Sequence, residues 1–94
     1  MKTVEIISVR LDPRRKEPLL KELRATLESR KRSDDQLIFE IYRHATVPTD
    51  LCVHLRFESP SAQVLPSDLG QHLASELREF GQISHSTWVE EEER

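Results

Sequence analysis

The side chains able to do chemistry near neutral pH are few in this 94-residue chain. There are four histidines, His44, His54, His72 and His85, with one cysteine, Cys52, one tyrosine, Tyr42, and one tryptophan, Trp88. Only imidazole titrates near neutrality without perturbation, so His54, His72 or His85 is a candidate general base. Arg56 or Arg10 is the matching candidate to hold an anion once the base has taken a proton. Each has a plainer reading, and the plainer one is favoured: His72 as a helix-surface residue beside Leu73, Arg56 as an ion-pair partner of Glu40. Cys52-x-His54 points a thiol and an imidazole the same way, with His44 near them, a donor set that suits zinc or copper. No fourth ligand is evident, so no metal is expected. With only Gly70 and Gly81 in the chain, a glycine-rich phosphate loop cannot be built, and serine-hydrolase and dinucleotide signatures are missing.

Composition narrows the setting in which these side chains work. Fourteen Lys and Arg against 17 Asp and Glu give a net charge of −3, a poor footing for nucleic-acid binding. No apolar run approaches the roughly 18 residues of a membrane span. The single cysteine fits a reducing compartment, and the N-terminal residues alternate charge with apolar side chains rather than forming a signal-peptide core. A cytoplasmic protein is expected, with residues 1–94 as one domain and the acidic tail 90–94 frayed. Charge is uneven along the chain. Residues 13–32 hold eight Lys and Arg against three acids, whereas residues 33–89 hold three against eight. The basic stretch is amphipathic and reads as the solvated face of a helix.

The elements that must position the candidates follow from periodicity. Residues 3–11 are rich in β-branched side chains, with Val4 and Ile6 on one parity and Ile7, Val9 and Leu11 on the other. That pattern predicts a central strand. Asp12-Pro13 ends it. Leu19, Leu20, Leu23 and Leu27 form one helical stripe, and Pro18 fits only in a first turn, so the helix begins near Lys16. Leu69, Leu73, Leu77 and Phe80 form a second stripe on a helix starting at Ser67 or Asp68, with Gly81 as its left-handed terminal residue. Residues 36–45, 51–58 and 83–90 are predicted strands. A hairpin turn centred on Pro48 would pair residues whose numbers sum to 96, setting Phe39 opposite Phe57, Glu40 opposite Arg56 and Tyr42 opposite His54.

The order βαββαβ predicts an α+β, ferredoxin-like fold: a four-stranded antiparallel sheet with two helices on one face. The leucine stripes require the apolar parity of Phe39, Ile41, Val53, Leu55 and Phe57. Val4, Ile6, Ile38, Tyr42, Cys52, His54, Arg56 and Trp88 are left on the other side. Such a face predicts a homodimer through the open side of the sheet. An RNA-binding protein of this topology would carry stacking aromatics on its central strands, and the first strand has none.

Leu37-Ile-Phe-Glu-Ile-Tyr42, Pro48-Thr-Asp-Leu51 and Arg56-Phe-Glu-Ser59 together resemble the antibiotic biosynthesis monooxygenase-like family. Asp12-Pro13 and Gln71-His72-Leu-Ala-Ser75 are similar to further features of that family. The resemblance implies a dimeric α/β barrel, its two sheets facing each other. It also implies a small cofactor-independent monooxygenase acting on or binding an aromatic or quinol-type ligand, with no cofactor. His72, His54 and Arg56 are then the candidate catalytic residues, and Phe39, Phe57, Tyr42, His85 and Trp88 the candidate ligand pocket. The chain has no Asn, and Phe57 stands where the family has Trp, so haem degradation is the least expected of the family's reactions. The alternative is a non-catalytic homodimer, a ligand-binding or structural barrel.

Overall fold

Alternation along the first strand decides the layering of the molecule. In β1, Lys2–Leu11, the side chains of Thr3, Glu5, Ile7, Val9 and Leu11 are buried, while Val4, Ile6 and Ser8 between them are half-buried. A strand covered this far on both faces must lie inside a sheet. The computed structural model, which describes residues 2–58 and 67–91, places it there. β1 pairs antiparallel with β3, Asp50–Glu58, on one side and with β4, Gly81–Val89, on the other. Outside β3 lies β2, Ile38–Arg43, so the order across the sheet is β2-β3-β1-β4.

Two helices cover one face. Asp12 opens a single 3₁₀ turn, its Oδ1 accepting the Arg14 amide at 3.0 Å, and α1 runs through Lys16–Ser33. Pro18 falls in its first turn, as expected, where the missing amide proton has no partner to lose. Leu19, Leu23 and Leu27 are its buried stripe. Arg30, Lys31 and Arg32 stand at the negative end of the helix, and Lys31 Nζ also reaches the Leu37 carbonyl at 2.6 Å. α2 runs through Asp68–Arg78, with Ser67 as its N-cap, and buries Leu69, Leu73 and Leu77 together with Gly70 and Ala74. Both stripes pack on the parity of Ile7, Val53 and Leu55, all fully buried. The chain therefore adopts the ferredoxin-like βαββαβ arrangement.

Two local expectations are corrected. The β2–β3 hairpin pairs Phe39 with Leu55, Ile41 with Val53 and Arg43 with Leu51, so partner numbers sum to 94 and not 96. The turn chemistry explains the shift. His44 leaves the strand and its Nδ1 accepts the amides of Thr46 and Val47, both at 3.1 Å, while the Asp50 amide reaches the Val47 carbonyl at 2.9 Å. The turn therefore centres one residue before Pro48. A slip of two residues leaves every side chain on its expected face, and two expected contacts persist as diagonals. Arg56 lies 3.0 Å from Glu40, and the Tyr42 and His54 rings are 4.9 Å apart. Gly81 is the first residue of β4 rather than a left-handed helix terminus. Its φ lies outside the left-handed region, and glycine is needed because a Cβ would overlap the Arg10 carbonyl oxygen.

The layering predicts contrasting outcomes for two substitutions. Leu55→Asp buries an unpaired charge beneath the helices and should cost about 3–5 kcal/mol, whereas Arg24→Ala, on the exposed side of α1, should change little. Thermal unfolding of the two variants checks this; similar melting curves would mean the sheet faces are the other way round.

Candidate functional site

The face of the sheet that carries no helix runs from an apolar end to a polar end. At the apolar end, Val4 of β1 pairs with Trp88 of β4 on one side and Arg56 of β3 on the other, and Ile38 of β2 lies beyond Arg56. Trp88 is 59% exposed and Ile38 54% exposed, large apolar side chains with no cover among the described residues. They border a groove of about 570 Å³ lined also by Val4, Phe57 and Val89, with Lys2 and Arg56 as its cationic members and Glu58 and Glu90 as its anionic ones. That volume is in the range of small-molecule sites. Trp88 Nε1 donates to Ser86 Oγ at 3.0 Å, so the polar edge of the indole is satisfied and its ring is left for contact.

The middle of the face holds the titratable candidates. The Tyr42 hydroxyl donates to Glu40 Oε2 at 2.8 Å, and that hydrogen bond pushes the phenol above its ordinary value. Glu40 in turn pairs with Arg56 through its other oxygen. His54 stacks at a tilt on Tyr42, and its buried Nδ1 has no hydrogen-bond partner among the described residues. Cys52 is half-buried, and burial pushes its thiol up, away from the thiolate that a metal or an electrophile requires. Among the described residues no group of three His, Cys, Asp or Glu side chains is placed to hold a metal ion. At the polar end Arg10 makes a two-point ion pair with Asp50, both contacts at 3.2 Å.

The structure thus gathers Tyr42, His54, Arg56 and Trp88 on one face and scatters the other candidates. His72 lies on the exposed side of α2, across the sheet, with its Nε2 3.0 Å from Glu76 one turn on. Phe39 and Phe57 are half-buried on the helix-bearing side, and Phe57 reaches the groove. His85 faces the helices too, where it meets a residue the sequence reading passed over.

That residue is Glu5, a carboxylate with no exposed surface on the buried parity of β1. Its Oε1 accepts the Ser67 amide at 2.9 Å and its Oε2 accepts His85 Nε2–H at 3.0 Å. Ser67 caps α2, so the charge sits at the positive end of that helix. Gly70 makes the approach possible, since a Cβ there would overlap the carboxylate. Position 5 shares the parity of Ile7, Val9 and Leu11, which was the available signal: a charge on a buried register needs partners. Neither Ser67 nor His85 lines the groove; the cluster fastens α2 to β1 and β4.

No protein-family model matches the chain, and neither curated proteins nor solved structures provide a match. Among the described residues no helix is long and apolar enough to cross a membrane. The single chain agrees with the sheet-and-helix arrangement that the family resemblance implied, and any functional reading rests on geometry.

Removing Glu5 should be costly. Glu5→Ala leaves the His85 N–H and the Ser67 amide unpaired inside the protein, for a loss of about 3 kcal/mol. Gly70→Ala should also destabilise, by displacing the carboxylate. His72→Ala, on the surface, should stay within about 0.5 kcal/mol of the parent. Urea unfolding measures all three; a Glu5→Ala curve that overlays the parent would remove the carboxylate from the account.

Proposed function

We propose that the chain works as a homodimer, a closed α/β barrel formed through its open sheet face, and binds a small aromatic ligand at the Trp88 end of that face. The observation that carries the reading is the groove of about 570 Å³ bordered by Trp88 and Ile38. An indole and a branched aliphatic side chain suit a flat aromatic ring, and the charged groups of the wall, Lys2 and Arg56 with Glu58 and Glu90, suit polar substituents at its edge. A second copy is the cover that suits the surrounding face. Its charges are already matched internally, Arg10 with Asp50 and Arg56 with Glu40, so the same face on a partner meets no net repulsion. The helix-bearing side is closed by the leucine stripes and offers no comparable opening among the described residues.

A second reading, oxidation of the bound ligand by molecular oxygen, draws support from His54. His54 lies two residues from Arg56 on the same face, outside the groove lining, and its Nδ1 is buried, so this reading requires the ligand to extend from the groove toward His54. In that reading His54 takes the phenolic proton and Arg56 holds the resulting anion, which reacts with oxygen. His72 has no part in it.

Trp88 is the only tryptophan and reports directly. Titration with a panel of quinols and naphthols should change its emission saturably, and Trp88→Ala should weaken binding by about tenfold, the worth of one aromatic contact. Sedimentation should show a dimer at micromolar concentration. An 11 kDa monomer with unresponsive emission would contradict the proposal. Turnover lost in His54→Ala and kept in His72→Ala would support the oxidative reading, and saturable binding without turnover would select the non-catalytic dimer.

A further inference from the structure

The strand pairings rule the open face into rows. From the polar end to the apolar end, β3 and β1 carry Asp50 beside Arg10, Cys52 beside Ser8, His54 beside Ile6, Arg56 beside Val4 and Glu58 beside Lys2. β2 and β4 flank them, with Tyr42 and Ser84 in the second row, Glu40 and Ser86 in the third, and Ile38 and Trp88 in the fourth. Two copies can stack face to face with their strands aligned in two ways, and the charges separate them. A two-fold axis lying across the strands brings opposite ends together at full overlap. Arg10 then faces the partner's Lys2, Asp50 faces the partner's Glu58, and the two Glu40 side chains face each other. An axis running along the strands, between β1 and β3, lays each row over the same row reversed. Arg10 then meets the partner's Asp50, Lys2 meets the partner's Glu58, Glu40 meets Ser86 and Arg56 meets Val4. No like charges face each other within the strands.

Resting on the open-face dimer proposed above, we infer that its two-fold axis runs along the strands and that the ligand groove is built by both copies. Trp88 and Ile38, 59% and 54% exposed in the single chain, come over each other at both edges of the sheet. The two grooves face each other across the axis and join, Ile38 and Val4 of each copy supplying the wall that the other lacks. At the polar end Tyr42 comes over Ser84 of the partner, at the border of a hollow of about 260 Å³ lined also by Ser8, Arg10 and Gln82. With strands roughly 4.8 Å apart and about 3.3 Å of rise per residue, the face offers about 500 Å² per copy. The pair thus covers on the order of 1,000 Å², as a specific dimer requires.

Charge swaps between chains test the axis. Lys2→Glu alone places two like-charge contacts in the inferred dimer, and so does Glu58→Lys alone. Each should therefore dissociate at about tenfold higher concentration than the parent in sedimentation. An equimolar mixture of the two restores opposite charges at both contacts and should recover the parent's dimer. Arg10→Glu and Asp50→Lys repeat the test at the polar end if either first variant fails to fold. An axis across the strands predicts the reverse, since Lys2 would face Arg10 and Lys2→Glu would tighten the dimer. A Lys2→Glu dimer as tight as the parent's or tighter, or a mixture no tighter than its components, overturns the inference and leaves the open-face dimer standing. A monomeric parent removes both.

Discussion

A single buried carboxylate ties together three elements that the chain brings from its two ends. Glu5 lies near the start of β1, Ser67 opens α2, and His85 sits in the middle of β4. Burying a charge is unfavourable unless every lone pair finds a donor. The donors here are a helix-capping amide and an imidazole held on a neighbouring strand. The position of α2 over the sheet, and therefore the covering of Leu55 and Ile7, follows from meeting that demand. Gly70 belongs to the same constraint, because only a residue without Cβ lets the helix come this close.

With α2 and α1 committed to one side, the other side of the sheet is left open, and its composition becomes the functional question. Arg10 pairs with Asp50 on it and Arg56 with Glu40. Its large apolar groups, Trp88 and Ile38, collect at one end, where the ends of all four strands contribute to the groove. A surface with matched charges and an uncovered aromatic end is suited to a second copy and to a small ring-shaped ligand. His54 lies between the polar and apolar ends of this face, which is why the oxidative reading attaches to it and not to His72.

Much of this was legible in the residues, and the misses have physical causes. Strand parity and the leucine stripes placed Phe39, Val53, Leu55, Tyr42, Cys52 and His54 on their observed faces, because burial on one side forces a period of two. The hairpin register was off by two because the turn is organised by His44 Nδ1 accepting backbone amides, an interaction that residue types alone do not reveal. Glu5 does not stand out in the sequence because the apolar members of the first strand carry its pattern on both parities. The partners that satisfy it lie 62 and 80 residues away in sequence, and only the topology brings them together. His72 drew notice from the short motif around it, yet helical geometry turns it toward solvent and Glu76. Gly81 shows the same limit: its role depends on the Arg10 carbonyl, a neighbour set by the β1–β4 register.

The central claim is that the open face is covered in solution by a second copy. Hydroxyl-radical footprinting reads that cover directly, since Trp88 and Tyr42 are reactive side chains on that face, 59% and 45% exposed in the single chain. The account predicts that both are protected at micromolar concentration and that protection falls on dilution or in Ile38→Glu. Oxidation of Trp88 and Tyr42 at the rate their single-chain exposure dictates, unchanged by dilution, would contradict it.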